Sequence, residues 1–315
     1  MSISVGEKGY PHMRMLGRRF LQLIVVIFLL SIVAFFSIRL LPGDPAELLG
    51  FGADPERVEE IREDLGLRDS PVSQYARWAG DFLQGDFGKY YRAAGDPSEE
   101  VKRALPVSLQ LMIYTQIVAL AVAIPLGVFA GYRADRLFDK VSNLGAFLAI
   151  SIPAFVVAYL CKQFFVFKWD VLPERGWPPL SDGVVDHFKH AVLPVTTLVL
   201  AQIAVYFRLL RSDMIATLQE DYITMARAKG LSPQRTLFRH ALRPSSLTLL
   251  TVAGLNVGTM ISSAVIVENI YGIDGMGLKL VRAVLSREYV AAQSFICIIG
   301  ILFVVINFLV DLLYT

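Results

Sequence analysis

The chain has 315 residues, 55% of them hydrophobic and only 18% charged, with 30 Lys and Arg against 28 Asp and Glu for a formal net charge of +2. Its mean hydropathy of +0.53 exceeds what a soluble core requires, which excludes an ordinary water-soluble domain. Its only cysteines, Cys161 and Cys297, both fall inside apolar runs, where Cys acts as a small hydrophobe, so they give no sign of a disulfide framework or a thiolate metal site.

A hydrocarbon layer about 30 Å thick needs roughly 20 apolar residues per helical span. Six runs satisfy this, at 20–40, 106–130, 143–167, 191–210, 247–267 and 290–313. Runs such as LQLIVVIFLLSIVAFF do not alternate as β-barrel strands do. The expected fold class is therefore all-α, a polytopic bundle of six transmembrane helices.

The first run follows the basic stretch MRMLGRRF. It is too long for a signal peptide and leads into SIRLLPGDP without a small-x-small cleavage site. It reads as a retained first span at 20–40, preceded by an amino-terminal segment at 1–19. Arg14, Arg18 and Arg19 before it, and the short basic loop GYRADRLFDK at 131–140, place the amino terminus and that loop in the cytoplasm.

The outer loop, 41–105, carries two amphipathic helical patterns. In the first, Asp54 is the expected cap, Pro55 the first position, Val58, Ile61 and Leu65 one face, and Gly66 the stop. In the second, Ser70 caps, Pro71 follows, and Val72, Tyr75, Ala79 and Phe82 share a side. These faces rest either on the bundle's own outer surface or at the mouth of a pore, where they close it or receive a partner. A later outer segment, ENIYGIDGMGLKLVRAVLSREY, is rich in glycine, as is a tight re-entrant or gate-lining loop or a plain surface turn.

No catalytic pattern stands out. GxxxxGK[ST] is absent, since Gly88-Lys89 is followed by Tyr90, and HExxH and GxSxG are absent too. Within the runs the interior ionisable residues are Lys162 and Asp311, each near enough to an end to snorkel, which weakens the case for an ion-coupled carrier. His187 and His190 share a helical face near Asp186, but two histidines without further ligands read as interfacial residues, and no metal site is expected. The fifth run holds Thr251, Gly254, Asn256, Gly258, Thr259, Ser262 and Ser263. Such residues serve close helix packing or line a water-filled path; the path candidates are Asn256, Thr259, Ser262 and Ser263, with Ser151 of the third run.

Between the fourth and fifth runs lies EDYITMARAKGLSPQRTLFRHALRP, at 220–244. Glu220 and Asp221 suit a helix start, and Arg227 and Lys229 its end before Gly230. Ser232-Pro233 then caps a second helix with Leu237, Phe238, Ala241 and Leu242 on one face, limited by Pro244. Ala226, Ala228 and Gly230 leave the turn nearly free of bulk between basic side chains. That is how a knob for another protein's socket is built, and it equally suits a basic segment lying on anionic lipid.

The stretch MARAKGLSPQRTLFRHALRP resembles the EAA loop of ABC importer permeases in the dipeptide, oligopeptide, nickel and glutathione permease family. The EAA pattern falls on Thr224, Met225 and Ala226, with its Gly at Gly230; Thr and Met depart from Glu and Ala, so no role of the Glu carries over. LPGDP (41–45), LQGDFG (83–88), SIPAF (151–155), HAVLP (190–194) and VENIYGIDGMG (267–277) agree in order along nearly the whole chain. The chain given ends at DLLYT, where that family usually adds a short basic tail.

The resemblance implies a type I importer permease, with a core at 106–315 that includes a cytoplasmic coupling loop at 211–246. Residues Thr224, Met225, Ala226, Arg227, Ala228, Lys229, Gly230, Leu231, Ser232 and Pro233 would dock a separate ATPase. Asp44, Asp86, Gly272, Asp274 and Gly275 would lie on the gate and receptor side. The implied partners are a second permease, two ATPase subunits, an extracytoplasmic binding protein and membrane lipid, with no nucleic acid. ATP and Mg would bind the ATPases, and this chain would hold no cofactor. The implied setting is the bacterial plasma membrane, and the cargo di- or oligopeptides, or a nickel chelate or glutathione-type molecule. The rivals from other classes are a self-sufficient secondary carrier and a membrane scaffold whose basic loop holds a peripheral protein.

Overall fold

The computed structural model describes residues 11–39, 46–47, 50, 52–91 and 93–313. Among these every regular element is a helix. Five helices are long and apolar enough to cross a membrane, and a sixth crossing appears if one bent pair counts as a single span. The chain is thus a polytopic helical membrane protein.

Helix α1 is Pro11–Arg39, and its Phe20, Leu21, Phe28 and Val33 are exposed, as lipid-facing residues are. The outer loop folds as α2 (Pro55–Asp64) and α3 (Pro71–Leu83). Ser70 caps α3 by accepting from Ser73 N, whereas Asp54 holds the cap position of α2 without a side-chain bond. Ile61 is the buried residue of α2. The face of α3 is rotated from the expected one. Val72 is 75% exposed, and Tyr75, Trp78 and Phe82 instead pack as a row of rings leading from Phe35 of α1. The cause is Trp78, whose large ring sets the contact, together with a bond between the Tyr75 and Ser31 hydroxyls at 2.7 Å.

Helix α4 (Pro97–Tyr132) is capped by Asp96 and contains Pro106 and Pro125. It lies against α7 (Val184–Leu218) along the centre of the bundle. Gly127 and Gly131 allow this: a Cβ at Gly127 would meet Leu210 Cβ at 3.0 Å, and one at Gly131 would meet Met214 Cβ at 2.7 Å. This small-xxx-small spacing lets backbones approach where no hydrophobic effect drives helices together.

The expected straight third span at 143–167 is broken. It is built from α5 (Leu137–Ser151) and α6 (Ala154–Cys161), the latter continuing as a π-helix over Lys162–Lys168, with a bend of 99° between the two halves. Pro153 removes an N–H and bars Ile152 from the helical region, and Ile152 is accordingly extended at φ −94°, ψ 119°. The start of α5 is fastened to α7 by Asp139, which is buried and receives Arg211 Nη2 at 2.6 Å, Asn143 Nδ2 at 2.7 Å and the Asp135 amide at 2.9 Å.

After α7 come the short α8 (Asp221–Ala228) and the continuous helix α9 (Pro233–Tyr271). Pro244 does not limit this helix as expected. Thr236–Ala241 adopt a π-helical turn just before it, and the wider turn absorbs the missing N–H. Helix α10 (Met276–Leu285) then folds back on the outer side, and α11 (Tyr289–Leu313) completes the bundle. Gly254 and Gly258 of α9 face Val310 and Phe303 of α11, and Gly300 of α11 faces Leu30 of α1, each closely enough that a Cβ would clash.

Candidate functional site

The segment joining α7 to α9 is anchored from beneath. Ile223 of α8 and Leu237 and Ala241 of α9 are buried in the same cluster as Leu210 and Met214 of α7. A bond of 2.9 Å between the Thr217 and Ser245 hydroxyls ties the end of α7 to the start of α9. Ala226 is also buried, so α8 turns one face to the bundle; Thr224, Met225, Arg227, Ala228 and Lys229 lie on its open side. Phe238, expected on the apolar face of the next helix, is 47% exposed, although its ring touches Phe129 edge-on.

Gly230 ends α8 at φ +79°, in the left-handed region that costs an L side chain about 1–2 kcal/mol. Its amide donates to Arg227 O at 3.0 Å, and the next, from Leu231, donates to Ala226 O at 3.3 Å. Nothing lies within 4 Å of where a Cβ would sit, so Gly230 makes no close contact within this chain; the backbone turn alone demands it. Ser232 then accepts from Arg235 N, and Pro233 opens the next helix. The ten residues 224–233 therefore form one short knob projecting from a buried base.

In mid-bundle the polar residues of α9 divide between packing and open space. Gly254 and Gly258 serve the α11 contact described above. Asn256 donates to Gln202 Oε1 of α7 at 3.3 Å, and Tyr206 of α7 donates to Gln116 Oε1 of α4 at 3.1 Å. Gln116, Gln202 and Tyr206 thus join Asn256 in a polar cluster across three helices; nothing in the separate runs signals that folding brings these residues together. Thr259 and Ser262 are exposed, and Ser263 is half-buried. Ser151 is exposed at the break of the third span, where its hydroxyl donates back to Phe147 O.

The end of the bundle opposite the knob holds a buried carboxylate, Glu268. Glu268 is 1% exposed and accepts from Ser108 Oγ at 2.6 Å, Gly277 N at 2.7 Å and Leu278 N at 3.1 Å. The amide of Met276 donates in turn to Ser108 Oγ at 2.8 Å. The acid therefore sits against the first turn of α10, where unpaired N–H groups and the helix dipole favour negative charge. A Cβ at Gly275 would lie 2.4 Å from the Glu268 carboxylate, and one at Gly277 would lie 2.5 Å from Val265 Cα. The glycines of this segment are thus a turn and a close approach. Gly272 closes α9 in the left-handed region at φ +59°. Asp274 stays exposed and pairs with Lys279 and Arg282 at 3.6 and 3.3 Å. Asp86 is exposed and accepts from the Gly88 amide at 2.9 Å. Asp44 lies outside the described residues.

Two further expectations take a different form. Lys162 does not snorkel into water. It is 5% exposed, pairs with Glu174 of the outer loop at 3.0 Å and donates to Ile270 O at 3.3 Å. That pairing holds the Glu174 carboxyl below the usual carboxylate range. His187 is buried with both ring nitrogens engaged, Nδ1 with Pro178 O at 2.7 Å and Nε2 with Tyr114 Oη at 3.1 Å, while His190 faces the Asp186 carbonyl. Glu288, also buried, receives the amides of Tyr91 and Ala93 and so fastens the outer loop to the start of α11.

Residues 123–315 match the family described as the binding-protein-dependent transport system inner membrane component, and residues 12–97 match its amino-terminal companion. The chain is 35% identical over 299 residues to a probable peptide ABC transporter permease of Sinorhizobium fredii, covering 95% of this chain and 96% of that one. It is 33% identical over 298 residues to a glutathione transport system permease of Escherichia coli, covering 94% and 95%. To a dipeptide transport system permease of Alkalihalophilus pseudofirmus it is 30% identical over 319 residues, covering 95% and 96%.

Proposed function

Because the chain belongs to the family of binding-protein-dependent transport system inner membrane components, we propose that it forms one half of the path through an ATP-driven importer and takes its driving force from a separate ATPase docked on residues 224–233. The observation that carries this reading is the knob itself. Ile223 and Ala226 are sunk in the bundle while Thr224, Met225, Arg227, Ala228 and Lys229 are left open, and the base of the knob joins α7 and α9 directly. A push on the knob is thereby transmitted to two central helices, and alternation between two packings of the bundle moves cargo across.

In this reading the amino terminus and the knob face the cytoplasm of a bacterial inner membrane. The partners are a second permease, two ATPase subunits that bind ATP and Mg, and an extracytoplasmic binding protein received on the side of α2, α3 and α10. The chain itself performs no catalysis. Asn256, Thr259, Ser262 and Ser263 line the path, with Gln202 and Gln116 beside them. The cargo is a di- or oligopeptide, in keeping with the peptide and dipeptide permeases the chain resembles. A glutathione-type tripeptide is a second cargo, favoured by the comparable identity to the glutathione permease.

Co-purification tests the reading. The chain is withdrawn gently from its native membrane, and again with residues 224–235 replaced by a Gly/Ser linker. The reading expects an ATPase and a second permease with the natural chain, and loss of the ATPase alone with the linker. A chain that arrives without partners, or partners indifferent to the linker, contradicts it.

A further inference from the structure

A cavity of about 540 Å³ lies behind the knob, between it and the turn that joins α4 to α5. Three of its lining residues are arginines drawn from both sides: Arg133 at the end of α4, Arg136 at the start of α5, and Arg227 on α8. No carboxylate lines it, and among the described residues none of these guanidiniums has an acidic partner within 4.0 Å. Asp139 is already taken by Arg211, and Asp135, between Arg133 and Arg136 in the chain, lies within ion-pair distance of neither.

Arg133, Arg136 and Arg227 are exposed and line one concave space; three like charges around one hollow raise the local potential and attract an anion. Planar forks of N–H donors fit the tetrahedral oxygens of a phosphate group best, and Arg is the residue of choice for this pairing. At about 30 Å³ per water, the cavity has room for a phosphate group with its hydration.

We propose that the cavity between the knob and the α4–α5 turn is a binding site for a phosphate-bearing anion, held by Arg133, Arg136 and Arg227. The anion bridges the knob to the turn and so sets how freely the knob moves. Its source is either the headgroup of an anionic phospholipid or free inorganic phosphate. The consequence for transport rests on the coupling role above, but occupancy does not: binding is read on the full chain without any ATPase, so the two ideas fail separately.

Two probes are used on the purified full chain. One is phosphatidylglycerol retained after release from nanodiscs of mixed phosphatidylcholine and phosphatidylglycerol, counted by native mass spectrometry. The other is radiolabelled inorganic phosphate in equilibrium dialysis. The expected result is saturable binding of one probe that weakens about tenfold or more in Arg133→Gln/Arg136→Gln and in Arg227→Gln, as loss of a charge-assisted bond implies. Lys140→Gln, which removes a neighbouring charge that does not line the cavity, leaves binding unchanged. Which probe is held tells lipid headgroup from free phosphate. Equal binding in all variants, or no binding of either probe by the natural chain, overturns the proposal; in the second case the arginines await carboxylates of the ATPase.

Discussion

Removing the Glu268 carboxylate tests the packing of the outer end most sharply. Glu268→Ala withdraws the acceptor from Ser108 Oγ, Gly277 N and Leu278 N, all of which end on it within 3.1 Å. A buried donor left without a partner costs about 1–3 kcal/mol. Three donors would exceed that range if the costs added, but the variant also relieves the desolvation of the carboxylate, and water can reach the first turn of α10. A loss of about 3 kcal/mol is therefore expected. Glu268→Gln keeps one oxygen acceptor and the side-chain volume but turns an amide donor toward N–H groups, for which about 1–2 kcal/mol is expected. Hydrogen exchange at residues 276–278 of the purified chain measures this locally. At 1.4 kcal/mol per factor of ten, Glu268→Ala should speed exchange of the Gly277 and Leu278 amides about a hundredfold, with Glu268→Gln between it and the natural chain. Exchange within about twofold of the natural chain in both variants would refute the idea that this carboxylate holds α10.

Other consequences are equally direct. Gly131→Leu, placed where even a Cβ would meet Met214 Cβ at 2.7 Å, should cost about 1–3 kcal/mol or more by prying α4 from α7, seen as a lowered thermal unfolding midpoint, while Gly145→Ala, with open space around it, should not lower it. Gly230→Val should weaken ATPase co-purification or ATPase stimulation with little loss of bundle stability, because the strain lies in the projecting turn; Gly230→Asn, which tolerates φ near +79°, should behave nearly as the natural chain. The Lys162–Glu174 pair makes a pH prediction. Glu174 is depressed by Lys162, so its contribution is present above the ordinary carboxylate value of about 4.3 and fades as pH falls through the lower folded value. Glu174→Gln should flatten that acid limb of the unfolding midpoint, and an unchanged limb would mean that the pair does not form.

The residues that announced themselves in the sequence were those whose local chemistry acts alone. Ser70, Ser232 and Gly230 fix caps and a left-handed turn by their own backbone preferences, and the apolar runs fix spans by length. What escaped notice depends on partners far along the chain. Glu268 stands one residue beyond the apolar run it follows, and only Ser108 and the start of α10 explain its burial. Gln116 of α4 and Gln202 and Tyr206 of α7 look like scattered polar residues until folding brings them beside Asn256. The two prolines had opposite outcomes for one reason. At Pro153 the preceding Ile152 becomes extended and the span breaks, whereas at Pro244 a π-helical turn over Thr236–Ala241 supplies the slack and the helix continues. Sequence alone signals the missing N–H but not whether the surrounding packing will absorb it.

The claim that the knob carries ATPase contact is tested most directly by cross-linking single cysteines in the assembled complex, with Cys161 and Cys297 replaced by Ala. Met225→Cys is on the open side of α8, at 57% exposure, and Ile223→Cys is on its buried side, at 0%. The account predicts that position 225 cross-links to the ATPase with a yield that changes between nucleotide-free and ATP-bound states, and that position 223 does not. If position 225 is reached only by lipid-soluble reagents and never joins the ATPase in either state, the knob lies on the membrane surface and the coupling account is wrong.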